Sequence, residues 1–294
     1  MTEGTSLLNI GEISKPATIL IEKISDALGG IAKPWQVRRV AKAEAEADKI
    51  KAIAHIEIDE LQRRALQRFV AEEAKKQGNI EEITAKALPQ VKDEAQPENI
   101  EDDWITNFFD KCRLISDEEM QTLWSKVLAG EANSPGTYSK RTVNFLGSLD
   151  KSDAFLFQSL CGFGWLIGDV FPLIYKLDAE IYAKHNIDFG SLTHLDEIGL
   201  LSFNNLTGYR RIHLPQKITI AYYGRSIDIE FDKEKDNELD IGHVLLSKIG
   251  QELAPICDPK PIPGFFDFII EDWTTKKGLN VSSPIRIVPR SNPT

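Results

Sequence analysis

The chain is expected to fold as a mainly α protein with a small C-terminal β component, an α+β class. The expected parts are a long N-terminal helix, a central helical bundle and a winged-helix-like C-terminal region. Three observations carry this expectation. Residues 36–76 contain neither Gly nor Pro and are dense in Ala, Glu, Lys, Arg and Gln, the strongest helix formers. Residues 99–161 repeat apolar side chains at three- and four-residue steps between turn signals. Residues 217–231 instead alternate apolar and polar on both sides of Tyr223-Gly224-Arg225, the pattern of a β-hairpin.

The elements follow in chain order. Residues 14–32 form an amphipathic helix, with Ser14 as N-cap and Pro16 in the first turn, where its missing N–H is harmless. Ala17, Leu20, Ile21, Ile24, Leu28 and Ile31 make its apolar stripe. The 36–76 helix would reach about 60 Å, longer than one small domain spans, so it must lean on something along its length. Its seam is Val37, Val40, Ile50, Ile53, Ala54, Ile58, Leu61, Ala65 and Phe69. That seam is alanine-rich and less regular than a leucine zipper. Gln77-Gly78-Asn79 is expected to end the helix, with a short one resuming over 80–88 until Pro89. Residues 89–99 are polar, carry two prolines and form a linker. The domains expected are therefore 1–88, an interaction region; 100–165, a central helical segment; and 166–294, a winged-helix-like domain.

In the central segment Trp104, Ile105, Phe108, Phe109 and Cys112 share one helical face. Ser116 with Glu119 forms a capping box for a second helix, whose buried face is Met120, Leu123, Trp124, Val127 and Leu128. A third helix covers 138–148 through Val143 and Leu146, and a fourth starts at Lys151. Further on, residues 190–201 form a helix that stops at Gly199 and runs into a strand. Residues 241–257 form another helix, and 265–273 and 285–288 are strands.

Composition bounds the function. With 294 residues and 42% apolar side chains the chain can bury a substantial core. A net charge of −10 argues against broad nucleic-acid binding. Charge is segregated: residues 33–76 hold eleven Lys or Arg against eight Asp or Glu, and residues 93–119 hold two against ten. Three widely spaced cysteines suggest buried thiols in a reducing compartment. The opening fifteen residues lack the charged and apolar regions of a secretory signal, and no apolar run approaches the roughly eighteen residues of a spanning helix. A cytoplasmic location is expected, with the periphery of the inner membrane as the alternative.

Several charged clusters admit both a functional and a plainer role. Asp102, Asp103 and Asp110 suit a metal or acid–base cluster, but acids in a first helical turn also simply favour the helix dipole. Asp228, Glu230 and Asp232 share a strand face, as in a metal-dependent nuclease. No lysine follows two residues after any of them, so a solvated strand face is the favoured reading. The five histidines show no ligand spacing. A DNA-reading helix over 190–200 would carry Asp196 and Glu197 without Lys or Arg, with only Arg210, Arg211 and Arg225 nearby. Nucleic acid is therefore not an expected partner, and no catalytic residue, cofactor or metal is assigned.

The segments between Asp102 and Ala154 bring a family into view. Residues Asp102–Phe109, Cys112-Arg113, Ile115–Gln121 and Leu123–Glu131, with Pro135-Gly136, Arg141-Thr142 and Leu149–Ala154, resemble an uncharacterised bacterial family, domain of unknown function 2806. The Leu123–Glu131 helix, LWSKVLAGE, is also loosely similar to the abortive-infection alpha proteins, which implies a role in defence against phage. Shared Leu123, Trp124 and Leu128 are core residues on physical grounds, so their recurrence can reflect fold alone.

The expectation that results is a non-enzymatic interaction protein that assembles as a homo-oligomer and engages a protein partner. Ile50, Ile53, Ile58, Leu61 and Phe69 would form the oligomer interface. Leu20, Ile24, Leu28 and Ile31, with Arg38, Arg39 and Lys42, would contact a partner or, alternatively, an anionic membrane surface.

Overall fold

A computed structural model describes residues 14–28, 60–276 and 279–282. The chain divides into two compact units, Met1–Ser148 and Leu149–Thr294. The class is as expected, mainly helical with small antiparallel sheets.

In the first unit α1 (Lys15–Ala27) starts where expected, with the Ser14 hydroxyl accepting from the Ala17 N–H. Its buried residues Ala17, Leu20 and Ile24 lie on the face that packs against α3 (Asp102–Cys112) and the 3-10 turn Pro97–Asn99. All five apolar residues foreseen on α3 are buried. Phe108 stacks on Trp104 and meets Trp124 edge-on at 5.1 Å, which joins α3 to α4 (Glu118–Asn133). Helix α5 (Lys140–Leu146) closes the unit with Val143 and Leu146 buried.

Three features of this unit differ from the sequence expectation. The helix over the seventies does not stop at Gly78: α2 runs unbroken from Glu60 to Ala87. One interior glycine costs only about 1 kcal/mol relative to alanine. Burial of Ile80, Ile83 and Ala87 against α4 offsets that, and the buried Asn79 donates its side-chain amide to the Arg113 carbonyl at 2.8 Å. Residues 89–99 are not a loose connection. Ala95 and Pro97 are buried, and the Gln96 and Lys92 N–H groups donate to Ala132 and Asn133 at the end of α4. The division falls instead at residues 148 and 149. Finally, Asp117 rather than Ser116 caps α4, its carboxylate accepting from Glu119 and Met120.

The second unit opens with α6 (Lys151–Cys161) and the hairpin of β1 (Gly164–Ile167) and β2 (Asp169–Pro172). After the short helix α7 (Glu180–Ala183) comes α8 (Phe189–Glu197), capped reciprocally by Asp188 and Ser191. Six strands follow: β3 (Leu201–Phe203), β4 (Tyr209–Leu214), β5 (Lys217–Tyr222), β6 (Arg225–Glu230), β7 (Asn237–Gly242) and β8 (Val244–Leu246). The unit continues through α9 (Lys248–Leu253), α10 (Phe265–Glu271) and β9 (Asn280–Ser282).

The foreseen hairpin is present, β5 pairing with β6 from Lys217↔Glu230 to Tyr222↔Arg225. Its two-residue turn, Tyr223-Gly224, has both φ angles positive, the geometry that matches strand twist. The hairpin is not a free wing, however. It lies inside a five-stranded sheet ordered β2-β1-β5-β6-β9, and β3/β8 and β4/β7 form two further ladders. The winged-helix-like description therefore does not hold.

Two elements differ in type. Within 241–257 only Lys248–Leu253 is α-helical, followed by a 3-10 turn. Val244 and Leu246 are buried on alternate positions of β8 and pair with β3. Residues 265–271 look like a strand by composition but form α10, because Phe265, Ile269 and Trp273 at four-residue steps all enter the core. Burial on one helical face overrides β propensity. Residues 285–288 lie outside the described residues.

Candidate interaction surface

The feature that stands apart is the first half of α2. From Glu60 to Gly78 no residue is buried, and the first buried side chain is Asn79. At about 1.5 Å per residue this is on the order of 28 Å of helix without a fully buried side chain, half-buried only at Leu66, Val70, Glu73 and its last turn. Its good helix formers and its Arg68–Glu72 and Lys76–Glu73 pairs support it locally. Such exposed pairs contribute only tenths of a kcal/mol, so they do not explain why the stretch carries large apolar groups. Leu61 is 67% exposed and Phe69 59% exposed, with Ala65 one turn from each. Ile50, Ile53 and Ile58 of the same expected interface lie outside the described residues.

The other expected contact face is placed differently. Leu20 and Ile24 are buried in the first unit, and Leu28 is the half-buried C-cap of α1. Lys23 ties the helix down through Asp102 at 3.1 Å and the Glu98 carbonyl. Leu28 borders a cleft of about 300 Å³ lined also by Lys76, Ile80, Phe109, Asp110 and Arg113. Ile31, Arg38, Arg39 and Lys42 fall outside the described residues.

The acidic candidates are separated by their ion pairs. Asp102 pairs with Lys23, Asp103 with Lys140 at 3.4 Å, and Asp110 with Lys111 and Arg113. The hydrogen bond from Lys111, with the Arg113 charge, holds the Asp110 carboxyl below its usual range. On the hairpin, Asp228 accepts from Lys217 at 2.8 Å and from the Thr219 hydroxyl at 2.7 Å, which lowers its pKa as well. Glu230 and Asp232 are exposed. Among the described residues no three His, Cys, Asp or Glu side chains form a metal-holding group.

The arginines noted near the hairpin are matched to acids too: Arg210 to Glu238, Arg211 to Asp169, and Arg225 to Asp267 while its guanidinium lies 3.4 Å above the Phe266 ring. On α8, Asp196 accepts from the Phe203 N–H and His194 meets Asp153 at 2.9 Å. A second cleft, about 270 Å³, is bordered by Tyr175, Lys176, Asp240, His243 and Asp272. There the Tyr175 hydroxyl donates to the Asp240 carbonyl and accepts from the Trp273 indole, and burial pushes its pKa up. The hydroxyl is structural.

One arrangement was not foreseen. Glu131, 3% exposed, folds the turn after α4 by accepting from the Gly136 N–H at 2.6 Å and the Tyr138 N–H at 2.9 Å. Trp104 in turn donates its indole N–H to the Tyr138 carbonyl at 2.7 Å. A Cβ at Gly130 would sit 2.7 Å from the Tyr138 ring, so the glycine is needed for its size. The sequence signal was a glutamate inside an apolar helix end just before Pro135-Gly136.

These positions fall in the segment that resembles a known family, and the comparison decides the matter. The family model described as Protein of unknown function (DUF2806) matches residues 63–269. The chain belongs to the DUF2806 family. No curated protein and no solved structure matches the chain. The DUF2806 match takes in the Trp104–Glu131–Tyr138 clasp and most of the second unit. It begins inside α2, so Phe69 is within it while Leu61 and the whole of α1 precede it.

Proposed function

We infer that this DUF2806 protein is a non-enzymatic assembly protein that associates with copies of itself through the exposed face of α2. The observation that supports it is the pairing of an unburied stretch, Glu60–Gly78, with two large exposed apolar side chains, Leu61 and Phe69. Energetics sharpen the reading. Burying Leu61 and Phe69 from two copies contributes about 8 kcal/mol at roughly 2 kcal/mol per side chain, while association costs about 4–15 kcal/mol. Those four side chains alone give at best weak pairing. Stable assembly then requires Ile50, Ile53 and Ile58, which with Ala54 extend the helical stripe toward Leu61 in the sequence.

The second unit is the proposed partner-recognition module, with a protein rather than nucleic acid as its partner. Support comes from Arg210, Arg211 and Arg225, each engaged by a carboxylate, and from the acidic face of α8. The proposed setting is the bacterial cytoplasm, in antiphage defence. That setting rests on the likeness of Leu123–Glu131 to the abortive-infection alpha proteins and on three free thiols. No helix among the described residues is long and apolar enough to cross a membrane. Burial of Leu20 and Ile24 favours docking of α1 on its own unit over insertion into lipid.

Subunit exchange tests the reading. Two populations labelled with donor and acceptor dyes should develop energy transfer on mixing, and Phe69→Asp should suppress it. Absence of transfer in the unaltered protein at high concentration would contradict self-association.

A further inference from the structure

Two of the three cysteines meet in the second unit. Cys161 closes α6, and Cys257 follows the 3-10 turn Ala254–Ile256, 96 positions later in the chain. The Cys257 side chain acts on the Cys161 thiol and, after burial itself, raises its pKa. Both backbones are braced. The Gln158 side-chain amide donates to the Cys257 carbonyl, and the Tyr223 hydroxyl donates to the Cys161 carbonyl at 3.2 Å. The chain beyond Cys257 stays close as well, since a Cβ on Gly162 would lie 2.8 Å from the Lys260 carbonyl oxygen. Access differs between the two: Cys161 is buried, whereas Cys257 is half-buried and its thiol donates to the Ala254 carbonyl.

We propose that Cys161 and Cys257 form a redox modification site, in which a hydroperoxide oxidises Cys257 and Cys161 then closes an intramolecular disulfide. In the first step the Cys257 sulfur attacks a peroxide oxygen and the O–O bond breaks. Sulfur gives up two electrons and becomes a sulfenic acid, and the peroxide leaves as water or an alcohol carrying the thiol proton. In the second step the Cys161 sulfur attacks the sulfenic sulfur. The S–S bond forms, the S–O bond breaks, and the hydroxyl leaves as water with the Cys161 proton. Burial pushes the Cys161 thiol up, so near neutral pH it stays protonated. Burial therefore leaves first contact with peroxide to the more accessible Cys257, and Cys161 attacks second through its small thiolate fraction, which grows as pH rises. The product bond would tie the end of α6 to the turn before α10.

The full-length protein, reduced and then freed of reductant, is treated with hydrogen peroxide, denatured in an alkylating agent and mapped by mass spectrometry. The expected result is a Cys161–Cys257 linked peptide within one chain, with Cys112 alkylated. The melting temperature should rise, and dithiothreitol should reverse the rise. Closure should accelerate as pH is raised above neutral. In Cys161→Ser the linked peptide disappears and dimedone traps Cys257 as its sulfenic acid; in Cys257→Ser, Cys161 remains alkylatable. Peroxide that leaves both thiols alkylatable, or carries Cys257 to sulfinic acid without linkage, overturns the proposal. The map of the unaltered protein decides alone, so poor folding of either variant does not obscure the answer.

Discussion

The carboxylate of Glu131 holds the backbone N–H of Tyr138 at 2.9 Å, seven residues on, and so turns the chain from α4 toward α5. A second oxygen holds Gly136, and the Tyr138 carbonyl receives the Trp104 indole. Three segments of the DUF2806 match are joined at this one turn.

Glu131→Gln keeps the shape but turns one charge-assisted bond into an ordinary one and replaces the other acceptor with a donor. The expected cost is about 2 kcal/mol or more, because a buried N–H loses its acceptor. Chemical denaturation should record the loss without a change in molecular mass.

Gly130→Ala should also destabilise, by about 1–3 kcal/mol, since the new methyl meets the Tyr138 ring. Combining it with Tyr138→Leu should cost less than the sum of the two single changes. Strict additivity in denaturant titrations would mean that the ring does not set the need for glycine.

Asp228 ties β6 to Lys217 and Thr219, and its lowered pKa fixes the direction of its pH dependence. A depressed carboxyl pKa means that its stabilising contribution is complete above the unfolded value, near 3.9, and is lost as pH falls through the lower folded value. Asp228→Asn should therefore melt at a lower temperature than the unaltered protein at neutral pH. The difference should shrink as pH drops below about 4. A difference that grew on acidification would show that the ion pair had been misjudged. Replacing Glu230 and Asp232 as well should add little.

How far the sequence led depended on whether local pattern and tertiary burial agreed. They agreed on α3, where Trp104, Ile105, Phe108, Phe109 and Cys112 all reach the core, and on the hairpin turned by Tyr223-Gly224. They disagreed at Gly78, a local stop signal outweighed by Ile80 and Ile83 packing on α4. They disagreed again at Phe265–Glu271, whose strand-like composition gives way to a helical face. Of the candidate surface, Leu61 and Phe69 could be named in advance because an apolar stripe on a helix is a local property. The Glu131–Tyr138 clasp could not, since it needs the turn already folded. The contact of Cys161 with Cys257 joins positions too distant for any spacing rule.

The α1 face separates docking from lipid binding. Leu20→Asp should destabilise the first unit by several kcal/mol, because a carboxylate would replace a fully buried side chain. Flotation with anionic vesicles at physiological salt should be weak for the unaltered protein. Reversing Arg38, Arg39 and Lys42 to Glu should then change little. Strong flotation abolished by that reversal would favour a membrane effector.

Multi-angle light scattering over a range of concentrations, on the full-length protein and on Leu61→Asp combined with Phe69→Asp, addresses assembly most directly. Both positions are exposed, so the variant should keep its fold, as circular dichroism and an unchanged melting transition would confirm. The unaltered chain should show a mass at least twice 33.0 kDa, and the variant should fall toward 33.0 kDa. A monomer in both cases, or an oligomer untouched by the two carboxylates, would contradict assembly through α2.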